Sequence, residues 1–151
     1  MADFREEVAR CRKVALDTNA LIYYLENVLP YRQLVAELVQ LTEERALSLV
    51  VSTVVEMELL VKPLRDGNLE TVARIEAFLS GQRGLTVWAP GRQAAREAAQ
   101  LIAQHRLDVP DAIIVATAVE SGCDALVGND ALCAQRVREI PYVYLEDYAR
   151  G

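Results

Sequence analysis

Short apolar runs alternate along this chain with longer stretches in which apolar residues recur every three or four positions. Val14-Ala15-Leu16 is the first run, and it stops at Asp17, followed by the helix-starting residues Thr18 and Asn19. Leu47 to Val51, Leu85 to Trp88 and Ala125 to Val127 repeat the pattern, and Tyr142 to Tyr144 forms a last, edge-like strand. Helical periodicity marks residues 3 to 12 (Phe4, Val8, Cys11), Ala20 to Glu26, and a segment after Pro30 that runs to Glu44 on Leu34, Val35, Leu38, Val39 and Leu41. Ser52 and Thr53 start a helix that Pro63 and Asp66-Gly67-Asn68 break, and further helices span 69 to 80, 92 to 105 and 131 to 137. Asp108-Val109-Pro110-Asp111 opens another, whose Ala112 to Val119 stretch is apolar on every face, the pattern of a helix buried all round. Strands alternating with helices at these spacings predict a mostly parallel sheet of four or five short strands, covered by helices on both faces in a three-layer α/β/α arrangement.

Length and composition narrow the class. With 151 residues, 52% of them hydrophobic, the chain can bury one substantial core. A single domain over 1–151 is expected, with an N-terminal helix in 1–12 and the core in 13–145. Cys11, Cys123 and Cys133 are an odd count without a CxxC pair, which points to neither a disulfide framework nor a zinc site. No apolar run approaches the ~18 residues of a membrane span, and the N-terminus lacks a basic-then-apolar leader pattern, so a cytoplasmic protein without membrane attachment is expected.

The formal net charge of −6 and pI near 4.9 argue against a broad basic face for nucleic acid. If four carboxylates are neutralised by metal ions, however, the remaining charges nearly balance, and all the bases except Lys13 and Lys62 are arginines, the better fork for phosphate.

Each acid of interest has an ordinary structural reading. Asp17 and Asp130 can cap the helices that follow them, Asp111 can complete a capping box with Asp108, and Glu58 can be an exposed helix residue. Their joint placement argues for more. Asp17 and Asp130 sit just beyond short apolar strands, and Asp111 opens the most apolar helix. In open α/β sheets, ligands collect outside the strand carboxyl ends. Acids gathered there repel one another, and a divalent cation is the usual remedy. Glu56 and Glu58 diverge by about 200° on their helix, so one of the two faces the rim; periodicity alone does not choose between them.

The segments VALDTNALIYYLE, VSTVVEMELLVKPLR and LDVPDAIIVATAVESGCDALVGND, in this order and spacing, resemble the PIN-domain family and, within it, the VapC-type toxins of toxin–antitoxin pairs. The resemblance runs from about Val14 to Val143. It places the family's four acids on Asp17, Glu58, Asp111 and Asp130, and so selects Glu58 over Glu56. It implies a PIN-like fold and a metal-dependent ribonuclease that hydrolyses RNA phosphodiester bonds with Mg²⁺ or Mn²⁺. Asp17 and Asp111 would be the principal metal ligands, Asp130 a ligand to the same or a second ion, and Glu58 a ligand or the group orienting the attacking water. Thr18, Asn19 and Asn129 would stand behind these ligands. A homodimer and an antitoxin partner that covers an apolar groove and the acidic rim are implied as well. The sequence departs from the family pattern at Gly128, where threonine or serine is common, which removes a hydroxyl from the site.

Other residues are assigned more modest parts. Arg92, Arg96 and Arg106 are candidate phosphate contacts whose ordinary reading is a solvated helix face. His105 reads as a surface or capping residue, Tyr23 and Tyr24 as core or dimer contacts, and Trp88 as packing. The competing readings are a PIN-like scaffold with a dead centre and, more remotely, a haloacid-dehalogenase-like phosphatase. The latter needs a second aspartate where this chain has Asn19.

Overall fold

The computed structural model describes residues 3–149. Its elements in chain order are α1 (Phe4–Ala9), β1 (Lys13–Leu16), α2 (Thr18–Leu25), α3 (Tyr31–Glu43), β2 (Ser48–Ser52), α4 (Thr53–Arg65), α5 (Leu69–Gly81) and β3 (Leu85–Trp88). They continue with α6 (Arg92–His105), α7 (Val109–Glu120), β4 (Ala125–Gly128), α8 (Ala131–Arg136), β5 (Tyr142–Tyr144) and α9 (Glu146–Ala149).

The strands form one sheet in the order β3-β2-β1-β4-β5, every pair parallel. A parallel sheet must be covered on both faces because its connections are helical crossovers. The strands accordingly read as nearly continuous apolar runs: Val14, Leu16, Leu49, Val51 and Val127 have no exposed surface. Burying each such side chain contributes about 1.5–3 kcal/mol relative to exposure. The predicted three-layer architecture is what forms.

Strand order fixes where a site can lie. From β1 the chain builds outward through β2 to β3, then returns to place β4 on the other side of β1. This reversal opens a crevice between the carboxyl ends of β1 and β4. Asp17 directly follows β1, and its N–H continues the ladder by donating to the Val127 carbonyl at 2.9 Å. Gly128, Asn129 and Asp130 lie at the neighbouring strand end.

Three expectations need correction. The first helix is shorter than 3 to 12, ending at Ala9 with Arg10 as its cap, so Cys11 lies beyond it. Pro63 does not break α4, which continues to Arg65. The proline stands in the final turn, where its ring is buried, and Gly67, in a left-handed conformation (φ +68°), makes the stop. Helix α7 is not buried all round: Ala112 and Ile114 to Ala118 are buried, but Val109 and Val119 are exposed at 59% and 39%. Its neighbours α6, β2 and β4 enclose the middle of the helix and leave its two ends in contact with water. The short helix α9 has no apolar period to announce it. Residues 1 and 2 of the expected N-terminal segment lie outside the described residues. Among the described residues, no helix is long and apolar enough to cross a membrane.

Candidate metal centre

Each acid reaches the crevice by a separate local device. Asp17 ends β1 and caps α2, its Oδ1 accepting the Thr18 N–H at 2.7 Å. Asp130 ends the β4 turn and caps α8, its Oδ1 accepting the Cys133 N–H at 3.0 Å. The capping reading therefore holds for both, and in each carboxylate a second oxygen is left for a ligand. Asp111 lies in the first turn of α7; the capping box with Asp108 is absent, since Asp108 makes no side-chain cap bond. Glu58 is carried in by α4, which starts from the end of β2 where the Ser52 hydroxyl accepts the Val54 N–H. The Thr18 hydroxyl donates to Glu58 Oε1 at 2.5 Å, tying the start of α2 to α4.

Electrostatics show that these groups share one environment. Asp17 is 5% exposed, and its pKa is pushed up to about 7. Burial is the first cause; the charges of Asp111, Asp130 and Glu58 add to it, and the Thr18 N–H opposes it. Asp111 is raised to about 6 by burial and by the charges of Asp130, Asp108 and Glu58. The charges acting on these two carboxyls are thus all negative. The N-termini of α2 and α7 face the acids and offset part of the repulsion. A divalent cation would offset far more.

Among the described residues, the donor atoms that gather within 4.8 Å of one another belong to Asp111, Asp130 and Cys133. Of the expected ligands, Asp111 and Asp130 belong to this set, whereas Asp17 and Glu58 stand outside it; carboxylate oxygens of this kind suit Mg²⁺ or Mn²⁺. Cys133 brings a softer atom to the edge of the same set. Burial and the neighbouring acids raise its pKa, so at neutral pH it is a thiol, a poor competitor for a hard ion.

The residues expected behind the ligands form a connected set. Asn19 Oδ1 accepts the Asn129 N–H at 3.2 Å, and the Asn129 side chain donates to the Tyr23 hydroxyl at 3.1 Å. Asn129 Oδ1 accepts the Glu146 N–H at 2.9 Å, so α9 braces the turn. Tyr23 stacks on Tyr31 at 4.5 Å between ring centres and serves the rim as well as the core.

Other candidates lie apart. Arg92 and Arg96 are exposed on α6, and Arg106 borders a separate depression with His105, Arg136 and Arg138. His105 pairs with Glu139 at 2.9 Å. The Trp88 ring N–H donates to Glu120 Oε1 at 2.9 Å, so its packing role includes a polar tether. Two residues of the crevice escaped the sequence reading. Cys133 had a usable signal, its i,i+3 spacing from Asp130 at the start of α8. Tyr142, whose hydroxyl accepts the Asp130 N–H at 3.0 Å, had none, because its place depends on how β5 pairs with β4.

The geometry defines a class of protein: a parallel α/β domain whose carboxylates converge at the switch point of the sheet. The sequence matches the PIN domain over residues 14–138, and the chain belongs to the PIN domain family. No curated protein matches it. Solved structures that share the fold include VapBC2 from Rickettsia felis bound to a DNA fragment from its promoter, with 16% identity and TM-score 0.70 over 87% of this chain and 98% of that one. DNA-bound VapBC from Salmonella typhimurium has 24% identity and TM-score 0.66 over 89% and 98%. Mycobacterium tuberculosis VapC20, a sarcin-ricin loop cleaving toxin, has 13% identity and TM-score 0.63 over 85% and 98%.

Proposed function

We propose that this chain is a divalent-metal-dependent endoribonuclease and the toxin of a VapBC-type toxin–antitoxin pair. The observation that carries this reading is the placement of Asp17, Glu58, Asp111 and Asp130 around one strand-end crevice, where burial and the charges of the neighbouring acids raise the proton affinity of Asp17 and Asp111. Family membership and the VapC-containing structures of the same fold support it.

Asp17 and Asp111 would be the principal holders of Mg²⁺ or Mn²⁺, with Asp130 joining through the oxygen not used in its cap. When bound, such an ion supplies Lewis acidity towards a phosphodiester and the attacking water. The chain's own contribution is orientation. Thr18 fixes Glu58 through its hydroxyl and Asp17 through its amide, and both groups are held before substrate arrives. Glu58, half-buried and held by Thr18, would orient the attacking water or take its proton.

The partners follow from surface chemistry. A groove of about 310 Å³ between α2, α4 and α5 is lined by Ile22, Leu25, Leu59, Pro63 and Ile75, with Glu58 at its edge and Lys62 and Arg74 beside it. An amphipathic antitoxin segment laid there would reach the acids from the side. On α4, Met57, Val61 and Leu64 form an exposed apolar stripe at helical spacing, 49–55% exposed, which suits a second copy of the chain.

Cleavage of structured RNAs by purified protein tests the activity. Cutting that requires Mg²⁺ or Mn²⁺, stops with chelator and is lost in Asp111→Asn supports the assignment. Absence of cutting with any RNA or metal favours the scaffold reading.

A further inference from the structure

Gly128 ends β4 against Asp17. A Cβ placed on it would lie 2.8 Å from Asp17 Cβ and 3.0 Å from Asp17 Oδ2, and would overlap the Tyr142 hydroxyl. The space left by the missing side chain is therefore filled, and what fills it is a phenolic oxygen from another strand. Tyr142 pairs with Leu126, two residues before Gly128 on the same face of the sheet. From there the long ring reaches diagonally to the strand end. Its oxygen accepts the Asp130 N–H at 3.0 Å, which fixes the turn that carries Asp130. The charges of Asp17 and Asp130 both bear on it. A phenol that accepts one bond still has its own proton to give, and the groups that share this space are carboxylates.

We propose that Tyr142 is a positioning residue of the acid centre, its hydroxyl supplying from β5 the polar contact that Gly128 cannot supply from β4. This rests on the metal-centre reading above. The hydroxyl holds Asp130 through its amide and steadies the Asp17 side of the pocket, so that the carboxylates are set for a divalent ion. Gly128 and Tyr142 form a matched pair: a side chain at 128 and a tyrosine hydroxyl at 142 exclude each other.

The test is Mn²⁺ titration of the full-length protein, read by calorimetry and by the electron paramagnetic resonance signal of free Mn²⁺, with melting measured in chelator. Wild type should bind, and Asp111→Asn should not. Tyr142→Phe keeps the ring and loses the hydroxyl; it should weaken Mn²⁺ binding about tenfold, the usual cost of losing a group that orients a ligand, with the metal-free melting point little changed. Tyr142→Leu removes ring and hydroxyl together and should weaken binding at least as much, whereas a side chain at 128 cannot take over the contact, because its Cβ would still press on Asp17. Wild-type affinity in Tyr142→Phe overturns the proposal. If Tyr142→Phe does not fold, Tyr142→Leu decides: wild-type Mn²⁺ affinity in it overturns the proposal, and a loss of about tenfold or more with a cooperative metal-free melt supports it. Failure of wild type to bind Mn²⁺ would overturn the metal-centre reading as well, so the two failures are distinct.

Discussion

Asp17 concentrates the physical tension of the molecule. An ordinary aspartate gives up its proton near pH 3.8, but burial and three neighbouring acids raise this one to about 7. The folded state therefore binds a proton that the unfolded chain has released. Its favourable contribution is complete below about pH 4 and is lost as pH rises through 7. Asp17→Asn keeps an oxygen for the Thr18 amide and carries no charge. In chelator, the variant should melt several degrees above wild type at pH 8, and the difference should shrink by about half at pH 5 and vanish only below about pH 4, under the unfolded pKa; melting curves across that range check it. Metal binding runs the other way, since an ion must displace the proton. Mn²⁺ affinity should fall as pH drops from 8 to 6, and titration near pH 7 in buffers of different ionisation enthalpy should show proton release. Thr18→Val removes the hydroxyl that holds Glu58. It should lower the rate of RNA cleavage about tenfold with little change in melting, whereas Glu56→Gln should leave the rate unaltered.

Individual elements are held in register by a few polar contacts inside an apolar frame. The Thr117 and Ser52 hydroxyls are hydrogen-bonded at 3.1 Å, with the Thr117 proton shared towards the Ile113 carbonyl at 2.7 Å, and this contact locks α7, which carries Asp111, to the end of β2, from which α4 carries Glu58. Both residues are buried, so Thr117→Val leaves Ser52 short of a partner and should cost about 1 kcal/mol of stability in denaturant unfolding. The elements were largely legible in the sequence for a simple reason. Strands buried on both faces must be continuous apolar runs, and Val14 to Leu16, Leu47 to Val51 and Ala125 to Val127 announce themselves. Pro63 misled because a proline can end a helix or stand in its last turn, and burial of its ring, which is a tertiary matter, decides which. Asp17, Asp111 and Asp130 were visible as strand-end or helix-start acids. The choice of Glu58 over Glu56 came from resemblance to the PIN family, and the structure brings Glu58 to Thr18. Tyr142 was invisible because a residue in the Tyr-Val-Tyr strand meets Gly128 only through the β4–β5 pairing.

At the scale of the molecule, the fold keeps the acidic crevice and the exposed apolar surface of α4 apart. The sheet's switch point gathers negative charge at one end, while α4 presents Glu58 to that centre and its exposed apolar stripe to the outside. If a second copy covers Met57, Val61 and Leu64, then Val61→Glu should convert a dimer to a monomer in light scattering and leave metal affinity intact. An antitoxin segment in the neighbouring groove would act on Glu58 without touching the sheet.

The proposed activity requires that the acids of four separate chain segments form one divalent site. Anomalous diffraction from crystals soaked in Mn²⁺ tests this most directly. A manganese peak ~2.1 Å from carboxylate oxygens of Asp17 and Asp111, with Asp130 or Glu58 completing the shell, is the predicted result. A peak elsewhere, or none between those residues at saturating Mn²⁺ above pH 7, would contradict it.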